Sequence, residues 1–146
     1  MKMLLSLRKN HILIALFTLL FVAAVFLSFF AAKDVKNAAS DEDRREFIEA
    51  LNLTPMNSDC QKKSVYIPLE FKQVYNRYND IQKEAGYDLS LYKGEKVTLY
   101  TYKLKENPEY FINLLVYKDR VIGGDISSVS LDGKMFPLKE NVLIKE

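Results

Sequence analysis

Hydrophobic positions along the chain fall into three patterns. Residues 12–32 read ILIALFTLLFVAAVFLSFFAA, a run without a charged residue. About 20 consecutive apolar residues suffice for a helix to cross a bilayer core, where every backbone donor and acceptor must pair internally. That run predicts a transmembrane helix. From residue 40 the apolar positions recur at helical spacing. Ser40 is placed to cap a helix whose first turn is acidic, and Phe47, Ile48 and Leu51 share one face before Pro55 ends it. Residues 54–63 are polar and predict a loop, and 64–67 a short strand halted by Pro68. Residues 69–85 carry the strongest helical period, with Phe71, Val74, Tyr75, Tyr78, Ile81 and Ala85 at three- and four-residue spacings. Gln82 falls inside that apolar face, where its amide needs partners. Pro68 suits the start of this helix and Gly86 its left-handed stop.

Beyond Gly86 the period shortens to two. Asp88 can cap a compact turn at 88–94, and Gly94 can supply a positive φ. In 96–104, Val97, Leu99 and Thr101 lie on one side and Tyr100 and Tyr102 on the other, which predicts a strand. Asn107-Pro108 interrupts. Residues 110–118 form a second strand, apolar almost throughout except at Asn113. Asp119-Arg120 is a tight connection, and 121–131 a third strand. Gly123-Gly124 inside it predicts a bulge or a close backbone approach. Asp132-Gly133 is a turn, and 135–144 supply a short last strand. The expected fold class is α+β: an N-terminal transmembrane helix, then a small domain with a long helix packed on an antiparallel meander. The expected organisation is 1–11 cytoplasmic, 12–32 membrane-spanning, 33–40 linker and 41–146 extracytoplasmic.

Charge refines this organisation. The 146-residue chain has 21 basic and 19 acidic residues, a formal +2. Lys2, Arg8 and Lys9 precede the apolar run with no acid beside them, which favours a cytoplasmic N-terminus, although Lys33 and Lys36 weaken the contrast. The rest holds 18 basic against 19 acidic residues. The excess of positive charge therefore belongs to the N-terminal flank, and no nucleic-acid partner is expected, since phosphate binding needs a concentrated basic face. The competing reading of 12–32, a cleaved signal, fits less well. The run is longer than a signal core, and large aromatics stand where small residues are wanted at Phe29 and Phe30.

Few residues can carry chemistry. His11 is the only histidine and precedes the apolar run, and Cys60 is the only cysteine. Zinc sites and Cys–His nucleophiles are thereby excluded from the later domain, as is an internal disulfide. Phosphate-binding and dinucleotide glycine motifs are absent from the sequence. Ser127, Ser128 and Ser130 lack a histidine partner. Two constellations remain. Gly123, Gly124 and Asp125, with Asp132 further on, could gather a hard cation, although EF-hand spacing is missing and bulge-and-turn geometry is the plainer reading. Nine tyrosines, Tyr100 and Tyr102 among them, can serve either a core or an interface.

The stretch YNRYNDIQKEAGYDLSLYKGEKVTLYTY, followed by NLLVYKDRVIGGD, resembles the family catalogued as domain of unknown function forty-eight-thirty, small anchored proteins of Firmicutes. Tyr78, Asn79, Gln82, Gly86, Asp88, Leu89, Tyr92, Gly94, Tyr100, Tyr102, Asn113, Tyr117, Arg120, Gly123, Gly124 and Asp125 carry the likeness, which covers 65–133. Asp119 departs from the glycine expected between Lys118 and Arg120. The resemblance implies a Gram-positive membrane location and brings no activity or catalytic residue with it. The residues singled out for interaction or structure are Asn79, Gln82, Asp88, Tyr100, Tyr102, Gly123, Gly124 and Asp125. The expected role is a non-enzymatic interaction or sensory domain at the cell envelope, associated with membrane and with an envelope protein partner. No cofactor, metal or small-molecule ligand is expected. The alternatives are an accessory subunit of a membrane complex, and a carboxylate-dependent hydrolase or cation-binding protein using Asp125 and Asp132.

Overall fold

A computed structural model describes residues 17–22, 37–57, 60–130 and 133–140. The chain divides into two compact units, Met1–Asp34 and Val35–Glu146. In the first, only 17–22 are described, a helical stretch whose side chains are exposed. The predicted fold class needs correction here. Among the described residues no helix is long and apolar enough to cross a membrane. The rest of the predicted span lies outside the described residues. What the structure establishes is a five-stranded antiparallel sheet with short helices.

The second unit begins with α1 (Asp41–Glu49). Ser40 Oγ accepts the Asp43 N–H at 3.0 Å while the Asp43 carboxylate accepts the Ser40 N–H at 2.8 Å, a reciprocal capping box. β1 (Gln61–Tyr66) follows, then α2 (Gln73–Glu84), a single-turn 3-10 helix at Leu89–Tyr92, and the strands β2 (Lys96–Lys103), β3 (Tyr110–Tyr117), β4 (Arg120–Ser128) and β5 (Met135–Pro137). The strands lie in the order β1-β2-β3-β4-β5, so each pairs with its sequence neighbour. α2 has 12 residues and starts at Gln73, later than the sequence period suggests, because Lys72 is extended. Val74 thus falls in the first turn and points outward, 82% exposed.

Both sheet faces are covered, which explains why β3 reads as almost uninterrupted hydrophobicity. One face carries Tyr102, Leu104, Ile112, Leu114 and Ile126, packed under Phe47 and Ile48 of α1. The other carries Val97, Leu99, Leu115 and Ile122, packed with Leu89 and the tyrosines of α2. Ala38, in the stretch read as a linker, is buried and donates its N–H to the Asp119 carbonyl at 2.8 Å. Between β3 and β4 the register shifts. Leu115 faces Gly123 but Val116 faces Val121, so Ile122 is an extra, bulged residue just before the glycine pair.

Candidate functional site

The cross-strand register places Thr101, Asn113 and Asp125 directly beside one another on the α2 face, one from each central strand. They form a chain of side-chain hydrogen bonds. Thr101 Oγ1 donates to Asn113 Oδ1 at 2.8 Å, and Asn113 Nδ2 donates to Asp125 Oδ1 at 2.8 Å and to Ser127 Oγ at 2.9 Å. Tyr78 reaches down from α2, and its hydroxyl donates to Asp125 Oδ2 at 3.0 Å. Both carboxylate oxygens are thus engaged. Burial raises the Asp125 pKa against the opposing pull of Asn113 and Tyr78. Burial likewise drives the Tyr78 hydroxyl far above its ordinary value, with the neighbouring carboxylate adding to the effect.

Gln82 is the second junction between α2 and the sheet, and it is 0% exposed. Its Oε1 accepts the Gly124 N–H at 2.7 Å. That donor lies one residue beyond the β4–β5 ladder, which runs only over Asp125, Ile126 and Ser127. The Gln82 amide therefore stands in for a strand that stops short. Its own Nε2 is buried without a hydrogen-bond partner among the described residues. The close approach accounts for the glycines: a Cβ on Gly123 would lie 2.7 Å from Gln82 Oε1, and one on Gly124 would run into the Asn113 carbonyl oxygen and Leu138. Neither glycine has a positive φ, so space rather than backbone conformation selects them.

Asn79, one turn before Gln82, clamps the following loop. Its Nδ2 donates to Asp88 Oδ1 at 2.9 Å and its Oδ1 accepts the Leu89 N–H at 2.7 Å. Asp88 also accepts the Ser90 N–H at 2.9 Å. The Asn79 and Ser90 bonds hold the Asp88 carboxyl down at about 2, so it is an anion under ordinary conditions.

The loop so fixed forms one wall of an open cleft of about 430 Å³. Tyr87, Asp88, Leu91 and Tyr92 line it on one side, and Tyr117, Lys118 and Arg120 of the β3–β4 hairpin on the other. Tyr92 and Tyr117 meet edge to face with centroids 5.6 Å apart, and the Lys118 ammonium sits 4.9 Å from the Tyr117 ring centre. Burial pushes the Tyr87 hydroxyl up to about 12, leaving it a neutral donor. Leu91 is 77% exposed.

Six of the eight residues singled out from sequence, Asn79, Gln82, Asp88, Gly123, Gly124 and Asp125, meet at the junction of α2, its following loop and β4. Tyr100 and Tyr102 lie elsewhere, on the α1 face. There the reading missed Arg44, which is only 6% exposed. Its Nε donates to Tyr102 Oη at 2.8 Å, its Nη1 donates to the Ala38 carbonyl at 3.1 Å, and its guanidinium lies 3.8 Å over the Tyr100 ring. Tyr102 in turn donates to Asp41 Oδ1 at 2.8 Å. Asp132 lies outside the described residues. Among the described residues no group of three or more metal-ligating side chains comes together.

The profile of the family described as Domain of unknown function (DUF4830) matches residues 54–126, half of the chain, and the chain belongs to that family. The match spans β1, α2, the cleft, the polar row and most of β4. No curated protein and no solved structure matches the chain.

Proposed function

We propose that residues 35–146 form a non-enzymatic interaction or sensory domain, and that the cleft between the Leu89–Tyr92 turn and the β3–β4 hairpin receives a side chain of a protein partner. One observation supports this most: rigid tyrosine rings and the exposed Leu91 converge on a cleft whose rim carries an anion and two cations. Tyrosine offers a large amphipathic contact at little entropic cost, and exposed apolar groups ringed by charge are characteristic of recognition surfaces. The buried carboxyl of the sheet argues in the same direction. Asp125 is enclosed by Tyr78 and Asn113 and lines no part of the cleft, so it is badly placed to meet a substrate. The proposal includes an extracytoplasmic location, which rests on sequence alone: the basic residues ahead of position 12 and the uncharged stretch that follows.

A photo-crosslinking residue in place of Leu91, compared with one at the exposed Glu49 of α1, tests the reading in native cells. A discrete protein adduct from position 91, lost on replacing Tyr117 with Ala, is expected. Equal labelling from both positions would count against the cleft. Ser90→Cys in a Cys60→Ser background should react with an impermeant maleimide in intact cells, and failure to do so would reject the location.

A further inference from the structure

The two edges of the sheet are treated differently. β5 is three residues long, ends at Pro137, and hands the next donor of β4 to Gln82. β1 is six residues long and, among the described residues, has a strand on one side only. The register fixes which of its backbone groups are left over. Ile67 donates its N–H to Glu95 across the β1–β2 pair, so Val65, Lys63 and Gln61, at alternate positions, also face β2. Lys62, Ser64 and Tyr66 therefore turn their N–H and C=O groups away from the sheet, and no described residue takes them. On the other side of β2 the same alternation holds: Leu104, just past its end, donates to Tyr110 on β3, as the β2 phase requires.

The side chains along this edge select a partner. Lys62 projects to the α1 face and Lys63 to the α2 face, both exposed and neither with an ion-pair partner among the described residues. Lys96 and Lys103 flank them at the two ends of β2. Among the described residues, Glu95 accepts the Tyr117 hydroxyl at 2.9 Å and Glu106 the Thr54 N–H at 3.2 Å, and neither forms an ion pair with these lysines. Tyr66, 68% exposed, ends the strand with an apolar surface. Lysines on an edge discourage pairing with another copy. The same lysines favour an incoming strand of opposite charge.

We infer that β1 is a docking edge for an extended acidic segment of a partner protein, which adds a sixth strand beside Lys62, Ser64 and Tyr66. Main-chain bonds supply the affinity and the lysines the selectivity. This surface is separate from the cleft and goes beyond it, and Tyr117→Ala tests one reading while Ser64→Pro tests the other.

The probe is a fluorescein-labelled peptide of alternating Glu and Val, titrated against the full-length chain by fluorescence anisotropy, with a Lys and Val peptide of equal length beside it. The acidic peptide should bind at least tenfold more tightly. Ser64→Pro removes an outward N–H that serves no ladder bond, a position where an edge strand tolerates proline. It should weaken binding at least tenfold with the melting temperature unchanged. Lys62→Glu combined with Lys63→Glu leaves the backbone alone and should reverse the preference between the two peptides. Equal binding of both peptides, binding that survives Ser64→Pro, or no binding at millimolar peptide overturns the proposal; the last identifies the lysines as protection against aggregation only. Self-association of the chain abolished by Ser64→Pro also overturns it, with a second copy as the occupant.

Discussion

Gln82 holds a backbone donor that the sheet leaves over, and its loss should be felt beyond the size of one side chain. Gln82→Ala strands the Gly124 N–H in a buried site, which costs about 1–3 kcal/mol. Gln73→Ala, at the exposed start of α2, should leave the urea midpoint where it is. Equal effects from the two would mean that the Gln82 bond contributes nothing. Asp125 adds a pH dependence of definite sign. Burial raises its pKa above the ordinary 3.8, so the folded chain holds that proton more tightly than the unfolded chain. Its contribution is fully present below the unfolded value and is lost as pH rises through the folded one. The stability of the native chain relative to Asp125→Asn should therefore grow as pH falls from about 7 to about 4. A margin that shrinks instead would show a carboxylate stabilised in its charged form. These two residues differ from Arg44 in how far sequence exposes them. Gln82 stands out because helical phase puts an amide among apolar neighbours. Arg44 sits in SDEDRREF, where every local cue reads as a solvated helix. Its burial depends on Tyr100 and Tyr102 of β2, the latter 58 residues away.

At the scale of elements, the β3–β4 hairpin turns on Lys118 and Asp119, whose φ values are +46° and +60°. Two consecutive left-handed residues make the tight turn that matches the twist of the strands, and glycine is the residue most at ease there. That is why a glycine is expected at position 119 and why its absence is tolerated: aspartate is among the few side chains that visit this region. Asp119→Gly keeps the carbonyl that accepts the Ala38 N–H and should raise the urea midpoint, with a gain of up to about 1 kcal/mol. A lower midpoint would show that the Asp119 side chain stabilises the turn by more than its backbone costs. Elsewhere the local signals were strong enough to read directly. Ser40 caps α1, and Gly86 and Gly94 take positive φ at +80° and +79°. β2 follows its alternation, and β3 and β4 lie where the sequence places a second and a third strand. The start of β1 at Gln61 is hidden because Gln-Lys-Lys carries no apolar signal on an exposed edge. The bulge at Ile122 is displaced by one residue from the glycines that hint at it, since those serve the approach of Gln82 and Asn113.

For the whole molecule, the sheet has two faces and the family match covers only part of what closes them. Residues 54–126 contain three whole strands, most of β4 and α2, but neither α1 nor β5. The face bearing Tyr102, Leu104, Ile112, Leu114 and Ile126 is covered by Phe47 and Ile48 from one side of that range and Leu138 from the other. Fully burying a side chain of this size contributes about 1.5–3 kcal/mol, and a small domain has a net stability of only about 5–15 kcal/mol. Removing Phe47, Ile48 and Leu138 together takes away a large part of that margin. It also leaves the Tyr102 hydroxyl without Arg44 and Asp41. A fragment comprising 54–126 should therefore fail to unfold cooperatively and should expose apolar surface to a hydrophobic dye. The unit 35–146 keeps both layers and the Ala38 contact with Asp119, and should melt in one transition. Calorimetry on the two fragments decides the matter. A sharp transition from 54–126 would show that α2 alone stabilises the sheet and that α1 is an accessory to the fold.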